Sequence, residues 1–202
     1  MRDGDGKILI DSRNGLQRLD YGDKGFAGLT RPILAQANPL SDIYANTNNV
    51  NGNTFNGVGT VEIRFLKDFK FTSTNSVYLD EDRDIFVRNP WYGQFASSNG
   101  VSNIQHNRRW SYNYQQLLNW HRTFGLHEID AMLGHEYYRT RSYALVGSKK
   151  NMFSNSYTEL SGAVTMQSTN SSRSDYNTEG YFGRVNYSYA DKYFGELSYR
   201  RD

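Results

Sequence analysis

Four clusters in this sequence have residue types that could do chemistry. His127-Glu128 and His135-Glu136 have the spelling of a metallohydrolase, "DGDGK" at 3–7 and "DEDRD" at 80–84 are acidic enough for calcium, and "RNPWYGQFASSNG" at 88–100 joins aromatics to amides. A metallohydrolase needs its histidines one helical turn apart with the glutamate between them. Here the two histidines are eight positions apart in a segment with strand periodicity, about 26 Å along an extended chain, which is too far for one ion. Placing Asp3, Asp5 and Gly6 in an EF-hand frame puts Ser12 where the bidentate glutamate belongs. "DGDGK" therefore reads as a turn, and the run from Asp80 to Asp84, which contains its own Arg83, reads as a solvated strand tip where calcium is an open alternative.

The fourth cluster is different, because Trp91, Tyr92 and Phe95 could stack on sugar rings or peptide side chains while Asn and Arg neighbours bond hydroxyls. They are the candidate substrate-binding residues. Packing of the loop onto its neighbours, or onto a partner protein, is the plainer role for the same rings. No set of residues supports catalysis, no cofactor or metal site is expected, and the protein reads as a non-enzyme.

These residues must be positioned by strands. Of the 202 residues, 37% are hydrophobic and 15% aromatic, with 16 Tyr and no Cys, and mean hydropathy is -0.76. Disordered chains are poor in aromatics, so disorder is excluded. The net charge of +2 comes from interspersed charges without a basic stripe, which argues against nucleic acid. The opening residues do not read as a signal peptide, and no run reaches the roughly 20 apolar residues of a membrane helix. Membrane strands escape that test, since about 9 to 11 residues suffice and only one face need be apolar.

Period-two runs occupy 58–66, 69–82, 109–122, 127–140, 179–189 and 193–201. Trp110, Tyr112, Tyr114, Leu118 and Trp120 share one parity, with Arg109, Ser111, Asn113, Gln115, Asn119 and His121 on the other. Ile129, Ala131 and Leu133 oppose Glu128, Asp130, Met132 and Glu136 in the same way. In the closing run, Tyr187, Tyr189, Tyr193 and Tyr199 are expected at lipid or its interface. Arg184, Asn186, Glu196 and Arg200 are expected to face a water-filled lumen. Connections between runs alternate from short (67–68, 123–126, 190–192) to long (83–108, 141–178), the rhythm of an outer-membrane barrel with tight periplasmic turns and long extracellular loops. Residues 1–56 lack a sustained period and read as a loop-rich segment, extracellular, with one short strand near Lys7 to Asp11. Residues 57–202 read as barrel hairpins. The sequence stops at Asp202 within a strand, so it reads as a piece of a longer chain.

The closing "YFGRVNYSYADKYFGELSYRRD" resembles a barrel hairpin of SusC/RagA-type TonB-dependent outer-membrane transporters. "ANPLSDIYANTNN" and "FLKDFKFTSTNSVY" are similar to earlier barrel segments of that family. The resemblance implies an all-β antiparallel transmembrane barrel of 22 strands, of which about six are here, in the cell outer membrane. It also implies an N-terminal plug, contact with TonB through sequence outside these residues, and a SusD-like surface lipoprotein as partner. The cargo would be an oligosaccharide or a peptide. A soluble all-β carbohydrate-binding module is the alternative, although a sandwich should bury Val, Ile and Leu where these strands carry Tyr and Trp.

Overall fold

The computed structural model describes residues 1–21, 37–154 and 156–202. Its framework is a six-stranded sheet in which sequence neighbours are also spatial neighbours, in the order β1-β2-β3-β4-β5-β6. The strands are β1 (Thr47–Phe65), β2 (Phe69–Arg88), β3 (Val101–Phe124), β4 (His127–Met152), β5 (Ala163–Tyr189) and β6 (Tyr193–Arg201). One short helix, α1 (Pro39–Ala45), precedes them. It starts where a helix should: Asn38 accepts a hydrogen bond from the Ser41 N–H through its side chain, and Pro39 occupies the first turn, where its missing N–H is not needed.

All six expected strands are present, and the short connections fall at 66–68, 125–126 and 190–192. Two of these turns place consecutive non-glycine residues at positive φ, Leu66 (48°) with Lys67 (60°) and Ala190 (52°) with Asp191 (56°). That left-handed backbone matches the twist of antiparallel strands and closes a tight hairpin. In β5 and β6 the register pairs Tyr189 with Tyr193, Val185 with Leu197 and Tyr181 with Arg201.

The strands are longer than the periodicity predicts. The connections expected at 83–108 and 141–178 contract to 89–100 and 153–162, and residues 47–56, expected as loop, form the first half of β1. The physical reason is that backbone pairing does not require an apolar face. A strand of 24 to 27 residues, as in β3 to β5, is more than twice the roughly 9 to 11 residues that cross a bilayer. Where neither face has to be apolar, the alternation vanishes while the backbone ladder continues. "DEDRD" is therefore not a strand tip but lies inside β2. The short strand expected near Lys7 to Asp11 is reduced to isolated bridges, Arg2 with Ile8 and Ile10 with Gln17. Residues 22–36 of the expected loop lie outside the described residues.

The chain forms two compact units. The first comprises residues 1–51, 82–106 and 144–172 and contains α1 and the loops at 89–100 and 153–162. Its small core joins Ile85 and Val87 of β2 to Met152 of β4 and Ala163 of β5. The second comprises 52–81, 107–143 and 173–202 and contains the three tight turns. Among the described residues it buries no hydrophobic side chain. Instead its large apolar residues are exposed and fall mostly on one parity: Val61, Ile63 and Phe65, then Leu133, then Val185, Leu197 and Tyr199. Among the described residues no helix is long and apolar enough to cross a membrane.

Candidate functional site

In the first unit, residues 10–13, 18, 19, 21 and 91–93 line a cleft of about 540 Å³. Its floor is aromatic. The Tyr21 ring, 6% exposed, stacks on Tyr92 with centroids 5.2 Å apart and planes 4° from parallel. Asn14 donates from its amide to the Tyr92 hydroxyl at 3.2 Å, and the Arg13 guanidinium lies 5.7 Å from the Tyr92 ring centre. Trp91 also lines the cleft and is partly buried.

The loop that presents these rings is fixed by one buried amide. Asn89, 1% exposed, accepts from the Trp91 and Tyr92 N–H groups at 3.0 and 2.7 Å, while its own backbone and side-chain N–H groups donate to Asn46 at 2.9 and 2.8 Å. Asparagine suits this place because it offers both acceptor and donors, and mimics a backbone turn.

The cleft also carries charge. Asp11, 7% exposed, accepts from Arg13 Nε at 3.0 Å and from its terminal nitrogen at 2.6 Å. Those hydrogen bonds outweigh the cost of burial and lower the Asp11 carboxyl to a pKa of about 2. Burial, reinforced by a hydrogen bond from its hydroxyl to Asp42 at 3.0 Å, pushes the Tyr21 phenol well above its usual range. Asp11 is thus ionised and paired, Tyr21 is neutral, and Arg18 adds a second cation to the wall. A partly exposed indole can stack a flat ring or side chain while the neighbouring cations bond its oxygens.

Two of the three aromatic candidates, Trp91 and Tyr92, meet in this cleft. Phe95 does not line it; its ring lies 6.0 Å from the Arg88 guanidinium, which also sits 3.9 Å from Phe86. Asp11, Arg13 and Tyr21 were not legible as site residues. "DGDGK" is the turn it was read to be, with the Asp3 carboxylate accepting from the Asp5 and Lys7 N–H groups at 3.1 and 2.7 Å.

The second unit brings the other candidates onto one face. In the β5–β6 register Asn186 lies opposite Glu196, Arg184 opposite Ser198 and Phe182 opposite Arg200. Arg200 pairs with Asp202 at 2.8 Å and with Glu136 of β4 at 3.6 Å. Near the turns, Glu128, Asp130, Asn186, Ser188, Asp191 and Glu196 line a cavity of about 500 Å³. There His121 bonds Asp130 at 2.8 Å with Glu128 3.9 Å away, one ligand atom from each lying within 4.8 Å of the others. That spacing would admit a divalent ion, although His121 Nδ1 is already engaged by the Asp130 carboxylate. His127 and His135 are on the opposite, tyrosine-bearing face: His127 bonds the Tyr187 hydroxyl at 2.6 Å, and His135 stacks on Tyr181 and bonds Glu179 at 3.0 Å.

No family model matches the sequence. Over 91 residues, 44% of this chain and 9% of the relative, it is 33% identical to TonB-dependent receptor P3 of Formosa agariphila. Its fold is that of the RagAB peptide transporter, with a TM-score of 0.75 and 20% identity over 93% of this chain and 21% of that one. The RagAB peptide importer in its open-open state gives a TM-score of 0.73 over 87% and 19%. The chain therefore spans about a tenth of the curated relative and about a fifth of the RagAB chain. Sequence and fold together bear out the resemblance carried by the closing hairpin: this chain is a six-stranded antiparallel sheet homologous to a TonB-dependent receptor and folded like the RagAB transporter.

Proposed function

We propose that these strands are part of the barrel wall and outer mouth of an energy-coupled outer-membrane importer of the SusC type. The observation that carries this reading is the second unit, where β-strands with an apolar, aromatic face bury no hydrophobic side chain. A soluble sheet covers such a face with a second layer of protein. A barrel covers it with lipid. On this reading Tyr181, Val185, Tyr187, Tyr189, Tyr193, Leu197 and Tyr199 meet the membrane, and Arg184, Asn186, Glu196 and Arg200 meet the lumen.

The cargo is an oligosaccharide or a peptide, and the cleft of Trp91, Tyr92 and Tyr21 is one of its contacts near the mouth. Phe95 lies in the same loop, outside the cleft. A SusD-like lipoprotein partner and coupling to TonB complete the transporter.

The test exploits the absence of cysteine from these 202 residues. Single cysteines are introduced at Val185, Leu197, Asn186 and Ser198 in the protein at the full length its gene encodes, embedded in membranes. Val185→Cys and Leu197→Cys should react with a lipid-dissolved maleimide and resist a water-soluble one, with the reverse order at Asn186→Cys and Ser198→Cys. Equal aqueous labelling of all four would sink the proposal.

A further inference from the structure

On the tyrosine-bearing face of the second unit, the apolar residues give way abruptly to arginine. Along β4 that face reads His127, Ile129, Ala131, Leu133, His135, Tyr137, and then Arg139 and Arg141. Arg139 and Arg141 meet Arg173 of β5 around one carboxylate, Asp175. Arg141 bonds it through Nε, Arg173 at 2.6 Å, and Arg139 stands 3.8 Å away. Three guanidiniums on one carboxylate leave two positive charges, and Arg139 Nε has no acceptor. The next carboxylate on this face, Glu179, is engaged by His135 at 3.0 Å and by the Tyr181 hydroxyl at 2.8 Å. Exposed Arg108 falls two residues beyond Trp110 on the same face of β3.

The level of this cluster identifies its partner. From His127 to Arg139 the strand advances about 40 Å, which at barrel tilt is about 30 Å of height, just past an apolar band about 25 Å tall. Immediately below it lies an aromatic layer: Trp110 stacks with Tyr112 at 5.5 Å, Tyr112 with Tyr137 at 5.8 Å, and the Arg141 guanidinium rests 5.4 Å from the Trp110 ring centre. Amphipathic rings mark a membrane interface, and lipid phosphates lie at that depth. Guanidinium forks match phosphate oxygens in a bidentate way, which a lysine patch would not do.

We propose that Arg139, Arg141 and Arg173 form a binding site for the phosphorylated headgroup of an outer-leaflet lipid, whose acyl chains lie along the apolar band below. This rests on the lipid-facing reading of that face and adds a specific lipid to it.

The experiment uses the protein at the full length its gene encodes, in detergent micelles, titrated with bisphosphorylated lipid A and followed by native mass spectrometry. Dephosphorylated lipid A and inorganic phosphate serve as controls. The bisphosphorylated lipid should be retained in preference to the dephosphorylated form. At about fivefold per surface cation, the double variant Arg141→Gln/Arg173→Gln should bind it roughly 25-fold more weakly. Asp175→Asn, which removes the competing carboxylate, should bind it about fivefold more tightly. Equal retention of both lipids, indifference to the arginines, or displacement of the lipid by inorganic phosphate at matching affinity would overturn the proposal. Should the double variant lose the heat-modifiable migration of a folded barrel, Asp175→Asn decides alone, and failure to tighten counts against the site. Cysteine labelling at Val185 and Leu197 reports separately, so a lost lipid preference with intact lipid-phase labelling removes only this inference.

Discussion

At the scale of residues, the cleft beside Trp91 depends on two polar groups that are almost fully buried. Asn89 saturates both neighbouring N–H groups of its own loop and ties them to Asn46. Replacing it with alanine strands the Trp91 and Tyr92 N–H groups, and each unsatisfied donor costs about 1–3 kcal/mol. Asn89→Ala should therefore accelerate hydrogen exchange at residues 91–93 by tenfold or more while leaving the hairpin of β5 and β6 unchanged. Asp11 makes a pH prediction. Its pKa of about 2 is lowered from an ordinary 3.8, so its contribution is complete above about pH 4 and is lost as pH falls through 2. Indole fluorescence from Trp91 in the cleft should change across that acidic window, and Asp11→Asn should abolish the change. The sequence displayed Trp91 and Tyr92 because aromatics in a polar loop stand out. It could not display Asp11, Arg13 or Tyr21 beside them, because the contact from Asn14 to Tyr92 spans 78 positions and follows no local period.

At the scale of elements, periodicity and hydrogen bonding part company. The runs at 58–66 and 193–201 were legible because one of their faces is apolar and the other polar. The continuation of β5 through "MQSTNSSRSD" was not, because there both faces are polar while the ladder persists. Register is the stronger claim at this scale, since a slip of one residue would exchange the two faces of the hairpin. With Asn186 directly opposite Glu196, the pair Asn186→Cys/Glu196→Cys should oxidise readily to a disulfide, whereas Asn186→Cys with Leu197→Cys should not. Quantitative mass shift after mild oxidation separates the two. Gly134 gives a second handle on the same sheet. A Cβ there would stand 2.2 Å from the Phe182 ring, so the ring covers the glycine across strands. Gly134→Val should cost about 1–3 kcal/mol by overpacking and become nearly neutral in a Phe182→Ala background, read as a coupling in a double-mutant cycle.

At the scale of the molecule, the question is what covers the apolar face of the second unit. Leu133 and Val185 are exposed there, as are Ile63, Leu197 and five tyrosines of the closing hairpin. Monomeric soluble proteins rarely leave apolar patches beyond a few hundred Å² uncovered. A carbohydrate-binding sandwich would require a second sheet against this face, and the six strands instead lie in one sheet in simple sequence order. If lipid is the cover, a charge must be tolerated very differently on the two sides of the same strand. Val185→Arg puts a guanidinium at mid-depth in the apolar band and should destabilise the folded protein by about 2–4 kcal/mol. Asn186→Arg, its neighbour in sequence, points to the polar face beside Glu128, Asp130 and Glu196, where the added cation meets three carboxylates and should be neutral or mildly stabilising. Urea unfolding of the membrane-inserted protein measures both. Similar losses for the two variants would mean that neither side of the sheet is lipid.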